Sequence, residues 1–139
     1  MSTLKKILLV EDDEFDAEMT QRELRSIPLA NEIIWLNTGE ALLNYLAEFG
    51  VSNIALTILD IHMPRVNGIE ALEKIRELKY DYFPIVVLSS SQEDPDIKRC
   101  YELNVNSFVT KPVKTEEFRK AVRTLGLYWG ILNIPPLHD

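Results

Sequence analysis

The chain has 139 residues, 46% of them hydrophobic, which is enough for one domain with a real core and too short for a second folded module. A formal charge of -7, from 15 basic and 22 acidic side chains with no basic cluster, argues against nucleic acid and against an anionic membrane surface as direct partners. One cysteine cannot form an internal disulfide and no Cys/His spacing resembles a zinc site, so a reducing, cytoplasmic setting is expected.

Residues 1–6 are followed by only four apolar residues before acids begin, which fits neither a signal peptide nor a membrane span. That run, Ile7-Leu8-Leu9-Val10, predicts a first strand over 6–10, stopped by Glu11-Asp12-Asp13-Glu14. A second strand is expected over 32–36. A third covers 54–60, where Ile54-Ala55-Leu56-Thr57-Ile58-Leu59 ends at Asp60. Asn67-Gly68 then precedes a helix with Ile69, Leu72, Ile75, Arg76 and Leu78 at helical spacing.

The fourth strand, 85–89, is Ile85-Val86-Val87-Leu88 leading into Ser89-Ser90-Ser91. Cys100, on the helix after it, reads as a small packing residue. A fifth strand, 107–110, is Ser107-Phe108-Val109-Thr110 and runs into Lys111-Pro112. Thr115 followed by Glu116 and Glu117 predicts a cap and dipole-matched first turn for the last helix. Phe118, Ala121, Val122 and Leu125 give it helical periodicity, and the stripe of Phe118, Val122, Leu125 and Trp129 reads as a core face.

Continuous apolar runs suit strands buried on both faces of a parallel sheet, and five strand–helix repeats predict an α/β, doubly wound (βα)5 domain over 1–126. Residues 127–139 form a short hydrophobic C-terminal extension. Ligands of such sheets bind beyond the carboxyl ends of the strands, where Glu11, Asp12, Asp60, Ser89 and Lys111 all fall.

These residue types suit phosphoryl transfer. Carboxylates alone repel a phosphate, whereas a hard divalent cation held by one or two carboxylates neutralises it. Glu11, Asp12 and Asp60 would cradle Mg2+, with Mn2+ as a substitute. Asp60 is also the candidate nucleophile, since a carboxylate can attack phosphorus and hold an acyl phosphate. Lys111 offers a mobile ammonium to a phosphoryl oxygen, and Ser89, with Ser90 beside it, a hydroxyl-bearing strand end.

ILLVEDDE, ILDIHMPRVNG, PIVVLSSS and FVTKPV, in this order and spacing, resemble a response-regulator receiver domain of two-component signalling, over about residues 5–125. The resemblance implies a CheY-like, flavodoxin-like three-layer sandwich. It also implies that Asp60 accepts a phosphoryl group from a sensor histidine kinase. Asp12 would bind Mg2+ directly, Glu11 partly through water, and His62 through its backbone carbonyl. Ser89 and Lys111 match the family's switch hydroxyl and lysine, and Phe108 its inward-turning aromatic. The Lys111-Pro112 bond is commonly cis in the family. His62 and Ser91 match the positions linked to autodephosphorylation rate.

The segment LGLYWGILNIPPLHD resembles the tail of small stand-alone receivers that partner phytochrome-type histidine kinases. Tyr128, Trp129, Ile131, Leu132 and Ile134 add apolar surface past the expected domain end, which predicts a homodimer or a docking surface. The resemblance implies a signalling domain that catalyses only its own phosphorylation and slow dephosphorylation. A phosphorylation-independent interaction module would lack part of the acid, Ser/Thr and lysine set, and here the set is complete. A phosphorelay intermediate is a further alternative. A flavodoxin-like electron carrier would need a Gly- or Ser/Thr-rich loop after the first strand, and an aspartyl-phosphate phosphatase a second acid where His62 stands.

Overall fold

The computed structural model describes residues 5–27, 31–63, 67–90, 93–111 and 114–129. Strands and helices alternate as β1 (Lys6–Val10), α1 (Glu14–Arg25), β2 (Ile33–Leu36), α2 (Gly39–Phe49), β3 (Ile54–Leu59), α3 (Gly68–Glu77), β4 (Ile85–Ser89), α4 (Asp94–Glu102), β5 (Ser107–Thr110) and α5 (Thr115–Leu127). All four strand pairings are parallel, in the order β2-β1-β3-β4-β5, so the expected doubly wound sheet is observed.

Alternation along the strands divides the interior into two layers. Leu8, Val10, Leu59, Ile85 and Val87 face α2, α3 and α4, where Leu46, Leu72, Ile75 and Cys100 close the layer. Ile7, Leu9, Leu56, Ile58, Val86 and Leu88 face α1 and α5, against Ala17, Leu24, Phe118, Val122 and Leu125. Since β1, β3 and β4 are covered on both sides, nearly every residue in them is apolar and buried. The stripe read for α5 is a core face, with Trp129 partly buried against it. Cys100 is fully buried, and burial pushes its thiol up to about 11, as suits a packing residue.

Across α1 and α5, the buried Glu23 carboxylate accepts from Arg119 Nε at 2.8 Å and Arg123 Nε at 3.1 Å. Arg119, by hydrogen bond first, and the charge of both arginines hold its carboxyl below the usual carboxylate range. The pairs tie the two helices that lie over one side of the site.

Three element ends differ from the sequence expectation. β3 stops at Leu59 and β2 starts at Ile33, so Asp60 and Glu32 lie just outside their strands. Thr115 is the first residue of α5, whose N-cap is Lys114, extended at φ -81° and ψ 131° with no side-chain cap bond. Glu116 and Glu117 still place negative charge in the first turn. By contrast, Asn67 caps α3 through a complete capping box with Glu70, and Gly68 opens the helix. A Cβ on Gly68 would lie 2.6 Å from both the Asp60 carbonyl oxygen and Ile61 Cα, so only glycine lets α3 start this close behind Asp60.

Candidate functional site

Register brings the polar residues together. Val10 pairs with Leu59, and one step on the Asp60 N–H donates to the Val10 carbonyl at 3.0 Å while the Glu11 N–H donates to the Leu36 carbonyl at 3.1 Å. Ser89 pairs with Thr110, and the Lys111 N–H donates to the Ser89 carbonyl at 2.7 Å. Glu11, Asp60, Ser89 and Lys111 thus stand side by side along the carboxyl edge of the sheet. That edge spans β1 and β3, between which the strand order reverses, the place where open α/β sheets take ligands.

Glu11, Asp12 and Asp60 each offer a carboxylate oxygen, and these atoms lie within 4.8 Å of one another. Glu11 and Asp60 are buried and Asp12 is exposed. Lys111 Nζ lies 2.6 Å from Glu11 Oε1, 2.9 Å from Asp16 Oδ2 and 3.5 Å from Asp60 Oδ2. The Asp60 carboxylate also accepts from the His62 N–H at 3.0 Å, which pins one of its oxygens.

Among the described residues, one ammonium beside these acids leaves an excess of negative charge in a partly dry place. Burial first of all pushes the Glu11 carboxyl up to about 8; the Lys111 hydrogen bond opposes this, and the charge of Asp60 adds to the rise. Burial works to lower the Lys111 value, but its hydrogen bonds to Glu11 and Asp16 and the charges of Asp60 and Glu11 hold it above the ordinary lysine range. An all-carboxylate cluster short of positive charge, with oxygen donors this close, fits a hard divalent cation such as Mg2+ or Mn2+.

Ser89 is fully buried at the end of β4. Ser90 lines an open groove of about 260 Å3 beside Lys111, with Phe15, Asp16, Met19, Thr115 and Phe118. Phe108 is partly buried against the α2–α3–α4 layer, and its N–H donates to the Tyr101 hydroxyl at 3.2 Å. The His62 ring is exposed, with Nε2 3.9 Å from an Asp96 carboxylate oxygen. Pro112, Ser91, Ile131, Leu132 and Ile134 lie outside the described residues, and so do the Lys111-Pro112 bond and most of the apolar tail. Tyr128 is exposed and meets Trp129 edge to face, with ring centroids 5.1 Å apart.

Two residues near the site are absent from the sequence reading. Asp16 lies on the first turn of α1, three residues after the Asp13 cap, where its local sequence reads as an ordinary first-turn acid. Trp35, on the edge strand β2, donates its indole N–H to the Glu11 carbonyl at 2.7 Å and steadies that backbone. Nothing in its strand pattern signals this contact.

The family model described as "Response regulator receiver domain" matches residues 7–123. The chain is 35% identical over 134 residues to the probable methanogenesis regulatory protein FilR2 of Methanothrix harundinacea, covering 94% of this chain and 86% of that protein. It is 33% identical over 132 residues to response regulator Rcp1 of Synechocystis sp., covering 90% and 88%. The crystal structure of the Mn2+-bound form of Rcp1 superposes with a TM-score of 0.87 at 31% identity, over 95% of this chain and 99% of that one. The structure of the phosphorylated cyanobacterial phytochrome response regulator RcpA gives 0.88 at 29% identity, over 96% and 99%. With five parallel strands in this order, an acid cluster at the switch point and a family match across most of its length, the chain belongs to the response regulator receiver domains.

Proposed function

We propose that the chain is a phosphoryl-accepting switch whose donor is a sensor histidine kinase of the phytochrome type, working in the cytoplasm. The observation that carries this reading is the placement of Asp60: at a strand end, with Glu11 and Asp12 oxygens within 4.8 Å and the Lys111 ammonium at 3.5 Å. One Asp60 oxygen would form the new O–P bond as the P–N bond of a phosphohistidine breaks, leaving the imidazole on the kinase. A cation held by Glu11, Asp12, Asp60 and the His62 carbonyl would neutralise the phosphoryl charge as it arrives. Among the described residues no helix is long and apolar enough to cross a membrane. Phe15, 70% exposed beside the groove at Lys111, gives a protein donor an apolar foothold.

In the acyl phosphate, Lys111 and the hydroxyls of Ser89 and Ser90 would donate to phosphoryl oxygens. Drawing the end of β4 inward opens space that Phe108 fills, which changes the surface shown by α4, β5 and α5. Partner binding is the readout of that change. The chain's catalysis is confined to its own phosphorylation and slow dephosphorylation.

Cation removal supplies the test. With phosphoramidate as donor, phosphoryl uptake is expected in Mg2+ and is expected to fall by at least about a hundredfold in excess EDTA, because the charge on the group is then met by carboxylates alone. Uptake at equal rates in both would rule out the cradle. The exposed Leu127 and Tyr128 at the end of α5 suggest that 127–139 forms a self-association surface on the domain over 1–126. Light scattering should give a dimer mass for the full chain and a monomer mass for a chain ending at Leu125; monomers in both cases would remove the homodimer.

A further inference from the structure

Lys111 has a carboxylate partner that the proposed phosphoryl chemistry does not use. Its ammonium carries three hydrogens, and three acids surround it: Glu11 and Asp60, both in the acid cluster, and Asp16, which stands outside that cluster on the first turn of α1. Asp16 is the second nearest of the three, at 2.9 Å, while Asp60 is at 3.5 Å. Its backbone is fixed independently, because the Asp16 N–H donates to the Asp13 cap carboxylate at 2.8 Å. The Lys111 side chain is 12% exposed and the Asp16 side chain 29%, so the pair is only partly screened by water.

A cation at Glu11, Asp12 and Asp60 competes with Lys111 for the same two carboxylates, Glu11 and Asp60. Ammonium and divalent cation also repel each other. A fourth carboxylate that holds the ammonium to one side, within reach of Asp60 but off its oxygens, relieves both conflicts. We propose that Asp16 is a positioning residue for Lys111: it takes over the ammonium when a divalent cation engages Glu11 and Asp60, and so sets both cation affinity and the place from which the lysine reaches the phosphoryl group. The proposal rests on the cation-binding reading of the acid cluster given above.

Removing the Asp16 charge hands the whole ammonium back to Glu11 and Asp60, where it obstructs the cation. Asp16→Asn keeps the size of the side chain and leaves the backbone bond to Asp13 in place. It is expected to raise the Mg2+ dissociation constant, measured by titration calorimetry on the full chain, by about fivefold. Part of any such change is the plain loss of a nearby negative charge, and a double-mutant cycle separates the two. In a Lys111→Met background the same Asp16→Asn change is expected to raise the constant by no more than about twofold, because no ammonium is left to redirect. Asp16→Glu, which restores the charge, should return the affinity to within about twofold of the parent.

Equal effects of Asp16→Asn in the parent and Lys111→Met backgrounds would overturn the proposal, since Asp16 would then act as a bare charge. No effect in the parent would overturn it as well. Either result leaves Mg2+ binding by the parent intact and with it the reading of the acid cluster. Failure of the parent chain to bind Mg2+ would instead bring down the cluster reading, and this inference with it.

Discussion

Asp60→Asn is expected to abolish phosphoryl uptake and, in the same molecule, to make the fold more stable. The loss follows from chemistry: an amide oxygen is a poor nucleophile toward phosphorus. The gain follows from charge. Asp60 and Glu11 are both buried and their mutual repulsion is one cause of the raised Glu11 value. Taking away one anion costs a contact of 3.5 Å with Lys111, which keeps its shorter bonds to Glu11 and Asp16. A gain of about 1 kcal/mol in unfolding free energy is expected in cation-free buffer at about pH 9, where Glu11 is ionised in the folded chain, read by urea denaturation. A loss of stability would mean that the Lys111–Asp60 contact outweighs the carboxylate repulsion. The receiver site is in this sense a strained arrangement, held ready for positive charge.

The reverse experiment removes the Lys111 ammonium. Lys111→Met keeps most of the aliphatic stem and leaves Glu11 and Asp60 buried with no cationic partner among the described residues, so a loss of about 3 kcal/mol is expected at neutral pH without divalent cation. The pH dependence has a definite sign. The Glu11 value in the folded chain, about 8, lies above its ordinary value of 4.5, so between these two the folded state holds a proton that the unfolded state has released. Stability attached to Glu11 therefore falls as pH rises through that window. Without Lys111 to oppose the rise, the decline should steepen, and the deficit of Lys111→Met should be smaller at pH 5 than at pH 8. Urea midpoints at the two pH values, with and without Mg2+, measure it. A deficit independent of both pH and Mg2+ would show that the lysine matters through packing alone.

Much of this was legible in the sequence, for physical reasons. A strand buried on both faces must be apolar throughout, so Glu11 and Asp60 announce themselves as the points where apolar runs stop, and Lys111 marks the end of the last strand. In a parallel sheet those points also share one edge. The register that sets Val10 beside Leu59 and Ser89 beside Thr110 then turns a one-dimensional pattern into a cluster. The Asn67–Gly68 start of α3 was equally readable, because its cap is local and its glycine is needed where a Cβ would lie 2.6 Å from the Asp60 carbonyl oxygen.

What escaped depends on contacts distant along the chain. Asp16 looks like any first-turn acid of a solvated helix. Its partner Lys111 lies 95 residues away and meets it only once α1 and the end of β5 are packed on the same side of the sheet. Trp35 continues the apolar run of its edge strand without signalling that its indole reaches the Glu11 carbonyl, 24 residues back. Thr115 was misread as a cap because its hydroxyl and the following acids satisfy the local rule. The extended N-cap is instead one residue earlier, at Lys114. Local chemistry can be read from local sequence, while the lysine's full set of partners required the fold.

The most direct test of the central claim is intact mass after incubation with acetyl phosphate and Mg2+, for the parent and the Asp60→Asn chain side by side. A single phosphoryl adduct on the parent and none on the variant is the predicted result. An adduct of equal yield on both chains would contradict Asp60 as the acceptor.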